Sequence, residues 1–268
     1  MSIRRNESDM TSNSKTISII PISGIPEIGR GDDLVSTVSE AVSAQGLSIE
    51  SGDVLVFAQK IVSKAEGRFV DLNDVTPSAF AQTISAEVSK DPRMVEVILG
   101  ETTKIIKMDM RKPEKGRLIV ETRGGVISAN AGVDASNVSG GDTVTLLPLD
   151  SDESALRLAE GFKGAMGVDV AVIITDTVGR PWRDGLVDIA IGCAGIKALK
   201  DFRGKSDSKG FELNATVMAI ADEVASAAGL LMEKTDSVPV VIVRGYEYER
   251  GGSGARELIR DPEDDLFR

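Results

Sequence analysis

The sequence predicts a mixed protein of the α+β or α/β class. Short apolar runs rich in β-branched residues predict buried strands, and the clearest are residues 54–58, 168–175 and 238–243. Segments with helical periodicity lie between them, several beginning at Asp or Ser residues that can cap a helix. Hydrophobic residues make up 41% of the 268 positions and charged residues 27%, an ordinary globular composition with enough apolar material for a core.

The remaining elements follow from turn residues and periodicity. In chain order, we predict a strand at 17–21, a loop at 24–29, a helix capped by Asp32 or Asp33 and ending near Gln45, helices at 78–88 and 91–99, strands at 118–122 and 126–129 around a Gly124-Gly125 turn, a helix from about 150–154 to Gly164, a helix at 213–232, and a short helix at 255–259. A subdomain boundary would fall within 75–120 or 150–210, and composition does not fix it.

Composition excludes several classes of function. The chain has no histidine, which rules out a Ser-His-Asp triad, a histidine general base and a histidine-ligated zinc site. The lone Cys193 rules out an intramolecular disulfide and fits a reducing, cytoplasmic compartment. A net charge of −11 argues against nucleic-acid binding. No apolar run is long enough to span a membrane, and residues 1–15, which lack the core of a signal peptide, are expected to be a disordered leader.

Two groups of polar residues follow predicted strands. Residues 130–137 include Asp134 and Asn137 among small polar side chains, a pattern that a simple turn also explains. Asp176 and Thr177 stand at the predicted end of the 168–175 strand, where a helix N-cap is the alternative. Without histidine, a metal must be held by oxygen, and carboxylates at strand ends suit Mg²⁺ or Mn²⁺.

Other candidates are anion sites. The loop of Gly251, Gly252, Ser253 and Gly254 lies between a strand and a helix, as in a phosphate cradle, although a flexible connection has the same composition. Arg244 before it fits either a phosphate contact or a structural ion pair. The remaining candidates have helix or solvated surface positions as their alternative: Lys60, Lys64 and Arg68; Arg180, Arg183, Lys197 and Lys200; Asp222 and Glu223.

Two common nucleotide folds have no support. Gly204-Lys205-Ser206 imitates the end of a Walker A loop, but Leu199 stands where that motif requires glycine, and no buried strand precedes it. The Gly-x-Gly-x-x-Gly pattern of a Rossmann site does not occur. A nucleotide site in this chain is therefore expected to be neither P-loop nor Rossmann.

Taken together in order, the motifs resemble the coenzyme F420-0:L-glutamate ligase (F420-0 γ-glutamyl ligase) family over about residues 17–268. The resemblance rests on these stretches: Ile25-Pro26-Glu27, residues 60–68, residues 130–137, Ile174-Thr175-Asp176-Thr177, Gly179-Arg180-Pro181-Trp182-Arg183, Ala221-Asp222-Glu223, Val243-Arg244-Gly245 and residues 262–267. It implies a two-part α+β fold over 16–268, in two interleaved subdomains, and a homodimer.

The resemblance also implies roles for individual residues. GTP would contact Ile25, Pro26, Glu27, Ile28, Gln59, Lys64, Asn137 and the Gly251–Gly254 loop, although the family often has Ser in place of Gln59. Asp134 and Asp176 would bind one divalent ion, Mn²⁺ or Mg²⁺, and Thr177 a second; K⁺ is a further family expectation. Some members carry a fused flavin-binding domain, and flavin chemistry is not expected for this chain.

The implied reaction adds L-glutamate to F420-0. GTP would phosphorylate the terminal carboxylate of F420-0, and the glutamate amine would displace phosphate, with Lys64, Asp134 and Asp176 as the catalytic residues. Two alternatives stay open: an amide ligase acting on another carboxylate, and a GTP-binding regulatory module without turnover. The expected partners are F420-0, glutamate and GTP, with no nucleic acid and no membrane.

Overall fold

The computed structural model describes residues 16–109, 116–135, 142–233 and 237–266. Within these ranges the strands are β1 Ser18–Ile22, β2 Val54–Ala58, β3 Phe69–Asp71, β4 Thr102–Asp109, β5 Arg117–Thr122, β6 Ile127–Ala129, β7 Thr143–Thr145, β8 Ala171–Arg180, β9 Arg183–Ala194, β10 Leu199–Asp201, β11 Val217–Ala219 and β12 Val240–Arg244. The α-helices are α1 Leu34–Ala44, α2 Gln59–Ala65, α3 Ala79–Val88, α4 Pro92–Gly100, α5 Ser151–Met166 and α6 Ile220–Gly229. The expected leader, residues 1–15, lies outside the described residues.

A five-stranded sheet of order β1-β12-β2-β8-β9 forms the larger part of the fold. Its central strands β2 and β8 are parallel, and the other pairs are antiparallel. Both faces of this sheet are buried, which explains why its central strands read as continuous apolar runs. The mixed α+β class predicted from the sequence is confirmed.

Alternation along the strands divides the core of this part into two layers. Leu55, Phe57 and Ile174 face one side and pack with residues of α1 and α5. Val56 and Ile173 face the other side, against the alanine-rich face of α6. A three-layer arrangement results, with helices on both sides of the sheet.

The smaller part of the fold has a core of its own. The sheet β4-β5-β6 packs against α3 and α4, and Leu118 and Val120 of β5 are fully buried there. The antiparallel pair β3-β7 adds a small cluster around Val144. This second core matches the two-part character that the sequence resemblance implies.

Asp33, one of the two predicted caps, begins α1, and the first residues of the next two predicted helices, Ser78 and Asp91, are also caps. The side chains of Asp33, Ser78 and Asp91 each accept hydrogen bonds from backbone amides in the first turn of α1, α3 and α4, respectively. No helix among the described residues is long and apolar enough to cross a membrane.

Two element predictions were wrong. The helix predicted at 213–232 is confined to Ile220–Gly229, because Val217–Ala219 pairs with Leu199–Asp201 as a strand. The strand predicted to end at Thr175 continues to Arg180, because β9 pairs with it along that whole length. Asp176 therefore lies within a strand and not at its end.

Candidate active site

A large cavity lies beside the carboxyl end of β2 and the middle of the neighbouring parallel strand β8. Ala58, the last residue of β2, pairs with Thr175 of β8, so the chain leaving β2 and the middle of β8 reach the same edge of the sheet. The cavity there has a volume of about 720 Å³. Its size and its position outside the carboxyl ends of parallel strands are typical of ligand sites in such sheets.

Most of the site residues predicted from the sequence line this one cavity. They are Ile25, Pro26, Glu27, Ile28, Gln59, Lys64, Asp134, Asp176 and Thr177. These residues come from four separate stretches of the chain, and only the fold brings them together. Their chemical roles stay predictions. Asn137, the predicted GTP contact of the same set, lies outside the described residues.

Asp176 and Thr177 are positioned by the pairing of β8 with β9. Thr177 lies directly opposite Asp188, and its hydroxyl donates to Asp188 Oδ1 over 2.5 Å. The Thr175 hydroxyl donates to the Ile189 carbonyl over 2.8 Å. Sheet pairing and side-chain hydrogen bonds thus hold this wall of the cavity in one arrangement, which supports preorganised binding.

Asp134 reaches the cavity from the smaller part of the fold. Its backbone N–H donates to the Thr145 carbonyl over 3.0 Å, and the Thr145 N–H donates back over 2.9 Å. Just before it, Asn130 and Ala131 have positive φ angles of 55° within a short 3₁₀ turn. Asn130–Gly132 therefore form a turn, as the simple interpretation of this motif predicted. The turn also places the carboxylate of Asp134 at the cavity.

Two lysines face the cavity from one side of α2. Lys60 and Lys64 are four residues apart and so lie on the same helix face. Lys60 Nζ lies 2.7 Å from Asp134 Oδ2, and Lys64 donates to Glu27. The Lys64 side chain is only 8% exposed, whereas that of Glu27 is 81% exposed. The alternative that Lys64 belongs to a solvated charged face is therefore wrong.

The charges that line the cavity do not balance. The acids Glu27, Asp134, Asp176, Asp188 and Glu233 outnumber the basic residues, Lys60 and Lys64. A phosphate ligand in this surrounding needs cations to offset the excess negative charge. Among the described residues, no group of three or more acids or cysteines is arranged to hold a metal by itself.

The glycine loop lies elsewhere. Gly252, Ser253 and Gly254 line a different cavity of about 300 Å³. The backbone N–H groups of Ser253 and of Ala255, the residue after the loop, have carboxylate acceptors within the protein. Asp152 Oδ1 accepts from the N–H of Ala255 over 2.6 Å, and Glu257 accepts from the N–H of Ser253 over 2.6 Å. Within one chain, the structure places this loop away from the cavity of Lys64, where the phosphate-cradle prediction requires it. Gly251 adjoins the same loop and does not line the large cavity.

Several other candidates have structural contacts. Arg244 donates to the buried Asp53 through Nε over 2.8 Å, which favours the ion-pair alternative over a phosphate contact. Asp222 Oδ1 accepts from the Ala190 N–H over 2.9 Å, and burial raises the pKa of this carboxyl. None of the following lines the large cavity: Arg68, Arg180, Arg183, Lys197, Lys200, Asp222, Glu223 and Arg244.

The sequence prediction missed Asp188, Thr175 and Gly229 as cavity residues. Asp188 lies in the middle of a strand whose register could not be read from the sequence. Gly229 ends α6, and a β-carbon there would lie 2.1 Å from Asp188 Oδ2. The close approach of helix and carboxylate is visible only in the folded chain.

The family model described as F420-0:Gamma-glutamyl ligase matches residues 24–245. The chain is 45% identical over 258 residues to a protein of Methanopyrus kandleri named Coenzyme F420:L-glutamate ligase, covering 94% of this chain and 98% of the relative.

Two further relatives bear the same name. The protein of Methanothermobacter thermautotrophicus is 42% identical over 255 residues, covering 94% of this chain and 99% of the relative. The protein of Archaeoglobus fulgidus is 41% identical over 253 residues, covering 94% and 96%. The family match and these nearly full-length similarities agree with the motifs that line the cavity, and the chain belongs to the F420-0:γ-glutamyl ligase family.

Proposed function

We propose that this protein is a ligase that joins L-glutamate to F420-0 at the expense of GTP, with the large cavity as its active site. Family membership and the names of the nearly full-length relatives support the ligase activity. The observation that carries the assignment to this cavity is its pairing of two lysines with carboxylates from both parts of the fold. Phosphoryl transfer depends on such positioned charges and requires no histidine.

The proposed reaction has two steps. A terminal carboxylate oxygen of F420-0 attacks the γ-phosphorus of GTP, and GDP leaves, giving an acyl phosphate. The amine of glutamate then attacks the acyl carbon, inorganic phosphate leaves, and a proton is released as the amide forms. Activation is needed because a carboxylate and an amine do not condense favourably in water.

The residues that line the cavity have different proposed roles. Lys64, buried and on a short helix, offsets negative charge that develops on the transferred phosphoryl group. The loop of Ile25, Pro26, Glu27 and Ile28, together with Gln59, forms the wall against which the nucleotide lies. The Thr177–Asp188 hydrogen bond keeps the opposite wall in place.

Asp134 and Asp176 would hold a divalent cation, Mg²⁺ or Mn²⁺, with Thr177 near a second. Their oxygen donors fit these hard ions, which are commonly bound by one or two carboxylates and the substrate phosphates. A bound ion would supply charge neutralisation between phosphate oxygens. The excess of acids in the cavity supports this part of the proposal. K⁺ is proposed on the family resemblance alone.

A cytoplasmic homodimer completes the proposal. The exposed apolar side chains of Trp182, Leu186 and Phe211, which are 79%, 65% and 70% exposed, support an assembly that covers them. Sedimentation equilibrium of the purified chain should give twice the monomer mass. A monomer at micromolar concentration would contradict this part.

The test of function is an omission series followed by mass spectrometry. With F420-0, glutamate, GTP and Mn²⁺, we expect a product heavier by one glutamyl residue, together with GDP and phosphate. Omitting GTP or glutamate should abolish it. Product formed only from a different carboxylate would indicate another amide ligase, and GTP binding without any phosphate release would indicate a regulatory module.

A further inference from the structure

Among the described residues, Asp188 is a carboxylate of the large cavity that has no lysine or arginine as a partner. Its Oδ1 accepts the hydroxyl hydrogen bond of Thr177 over 2.5 Å. By contrast, Asp134 and Glu27 in the same cavity each form an ion pair with a lysine of α2. Asp188 therefore brings a negative charge to the cavity that no cation within the described ranges compensates.

The helix α6 holds this carboxylate in place. A β-carbon at Gly229 would lie 2.1 Å from Asp188 Oδ2, so the absence of a side chain there lets the carboxylate pack directly against the end of the helix. The Ser226 hydroxyl of the same helix donates to the Asp188 carbonyl over 2.7 Å. An ionised carboxylate has about four acceptor positions, and the described side chains use one of them, through Thr177. A ligand in the cavity can donate to the positions that remain.

The ligand chemistry that suits Asp188 is a positively charged donor. Its carboxylate repels the phosphates of a nucleotide and the carboxylates of both acid substrates. The amino group of glutamate is positively charged at neutral pH, and an ammonium donating to a carboxylate forms one of the stronger hydrogen bonds in proteins. Of the charged groups that the proposed organic substrates carry, the amino group of glutamate therefore fits Asp188 best.

Sheet pairing puts Asp188 beside the proposed reaction centre. It lies opposite Thr177, the neighbour of Asp176 on β8, and Asp176 is a proposed ligand of the cation that neutralises the phosphates. All three residues line the cavity, so an amine bound to Asp188 would lie on the same wall as that cation. A nucleophile held near its target reacts without the entropy cost of a separate encounter.

We propose that Asp188 binds the amino group of the incoming L-glutamate and directs it toward the acyl phosphate. The inference rests on the proposed function, because the proposed reaction supplies the amine. A second divalent cation beside Thr177 is the competing occupant, since a carboxylate oxygen is a suitable ligand for it as well. Separate measurements of amine binding and metal binding distinguish the two.

Glutarate, which is glutamate without its amino group, is the probe. Isothermal titration calorimetry uses the full chain with GDP and Mn²⁺ present. The wild type should bind glutamate at least about 10-fold more tightly than glutarate, the lower range for one charge-assisted contact. Equal Kd values for the two ligands would overturn the proposal on the wild type alone.

Asp188→Asn removes the charge and keeps an oxygen that can accept from Thr177. Its Kd for glutamate should rise by about 10- to 100-fold. Its Kd for glutarate should stay equal or fall, because the variant no longer repels an anion. Its Kd for Mn²⁺, measured with GDP present, should rise by less than about 10-fold, since the proposed metal ligands are intact.

Asp169→Asn is the matched control, because this exposed carboxylate pairs with Lys163 over 2.8 Å outside the cavity. It should leave all three Kd values unchanged, and thermal unfolding should show that both variants are folded. Equal rises in the Kd values for glutamate and glutarate in Asp188→Asn would overturn the proposal, because Asp188 would then act through the shape of the cavity. A rise of about 10-fold or more for Mn²⁺ would overturn it in favour of the cation.

The ligase proposal has a separate outcome. If the wild type forms the glutamyl product and Asp188→Asn forms it with an unchanged KM for glutamate, the role of Asp188 is wrong and the ligase stands. If the titrations come out as expected but the wild type forms no product from F420-0, Asp188 binds the amine and the ligase assignment is wrong. A wild type that neither binds glutamate nor forms product contradicts both.

Discussion

Gly229 lies against the carboxylate of Asp188 so closely that a β-carbon at this position would be 2.1 Å from Asp188 Oδ2. Asp188 in turn accepts the hydroxyl hydrogen bond of Thr177, one of the predicted metal ligands. The last turn of α6 therefore sets the position of a cavity wall that belongs to the β8–β9 hairpin. A residue with no side chain thus controls the geometry of the proposed active site.

The first prediction concerns this contact. Gly229→Ala should displace the Asp188 carboxylate, break its hydrogen bond with Thr177 and lower kcat by about 10-fold or more, since misplacement of about 1 Å can cost 100-fold. Steady-state assays of product formation would measure it. Gly164→Ala is the control, because a β-carbon on this helical glycine of α5 meets nothing within 4 Å. An equally active Gly229→Ala enzyme would show that Asp188 is not needed in its present position.

The second prediction separates Lys64 from its ion-pair partner. Lys64→Met should lower kcat by about 100- to 1,000-fold, because it removes a positioned positive charge from the transfer step. Glu27→Gln should have less than about a tenth of that effect, since the Glu27 side chain is 81% exposed and a phosphate in the proposed site would replace it as the partner of Lys64. Equal losses in the two variants would mean that the ion pair itself matters, and not the charge of Lys64.

The third prediction concerns the glycine loop. Gly254 has a φ of 111°, and a β-carbon there would lie 2.3 Å from Asp152 Cγ. Gly254→Ala should therefore lower the free energy of unfolding by more than ~2 kcal/mol, through strain and loss of the Asp152 hydrogen bonds. Gly251→Ala, where a β-carbon would meet nothing within 4 Å, should cost only the ~1 to 2 kcal/mol of its φ of 98°. Chemical denaturation compares the two, and equal losses would remove Asp152 from the explanation.

The fourth prediction is a pH dependence. Burial raises the pKa of the Cys193 thiol to about 12, from an ordinary value of 9.0. The folded state therefore keeps its proton while the unfolded state releases it, so this group's contribution to stability is complete below pH 9 and is lost as pH rises toward 12. Wild type minus Cys193→Ala should show a loss of up to ~1 kcal/mol per pH unit in that window. A constant difference from pH 8 to 11 would contradict it.

Local signals in the sequence were enough for many elements of the fold. The strand Val54–Ala58 has the predicted bounds, α1 begins at a predicted cap, Asp33, and α3 and α4 begin within one residue of their predicted starts. These features depend on side chains within a few residues of each other, which periodicity and capping rules describe. The resemblance of ordered motifs then identified nine of the residues that line the cavity.

The register with which β8 pairs with β9 could not be predicted from the sequence. A regular two-residue turn between Arg180 and Arg183 would put Leu186 opposite Thr177, but an irregularity next to Arg180 shifts the pairing by two residues and brings Asp188 there instead. The residue types near the turn do not predict by how many residues the β8–β9 register shifts. Asp188 was missed for that reason.

The glycine loop shows a second limit. The sequence correctly predicted a loop followed by a short helix, and the N–H of Ala255 at the start of that helix donates to a carboxylate. The acceptor, Asp152, comes from α5, about a hundred residues earlier in the chain. A sequence motif indicates that backbone N–H groups can bind an anion. Only the fold decides whether that anion is a carboxylate of the protein or a ligand.

Glutamate ligation is proposed to take place in the large cavity beside the carboxyl end of β2 and the middle of β8. Its most direct test is Asp176→Asn in the mass-spectrometric assay with F420-0, glutamate, GTP and Mn²⁺, beside Asp169→Asn, which changes an exposed carboxylate outside the cavity. We predict that Asp176→Asn folds but forms no detectable glutamyl product, while wild type and Asp169→Asn form it at equal rates. A folded Asp176→Asn protein with wild-type activity would contradict the claim that ligation takes place in this cavity.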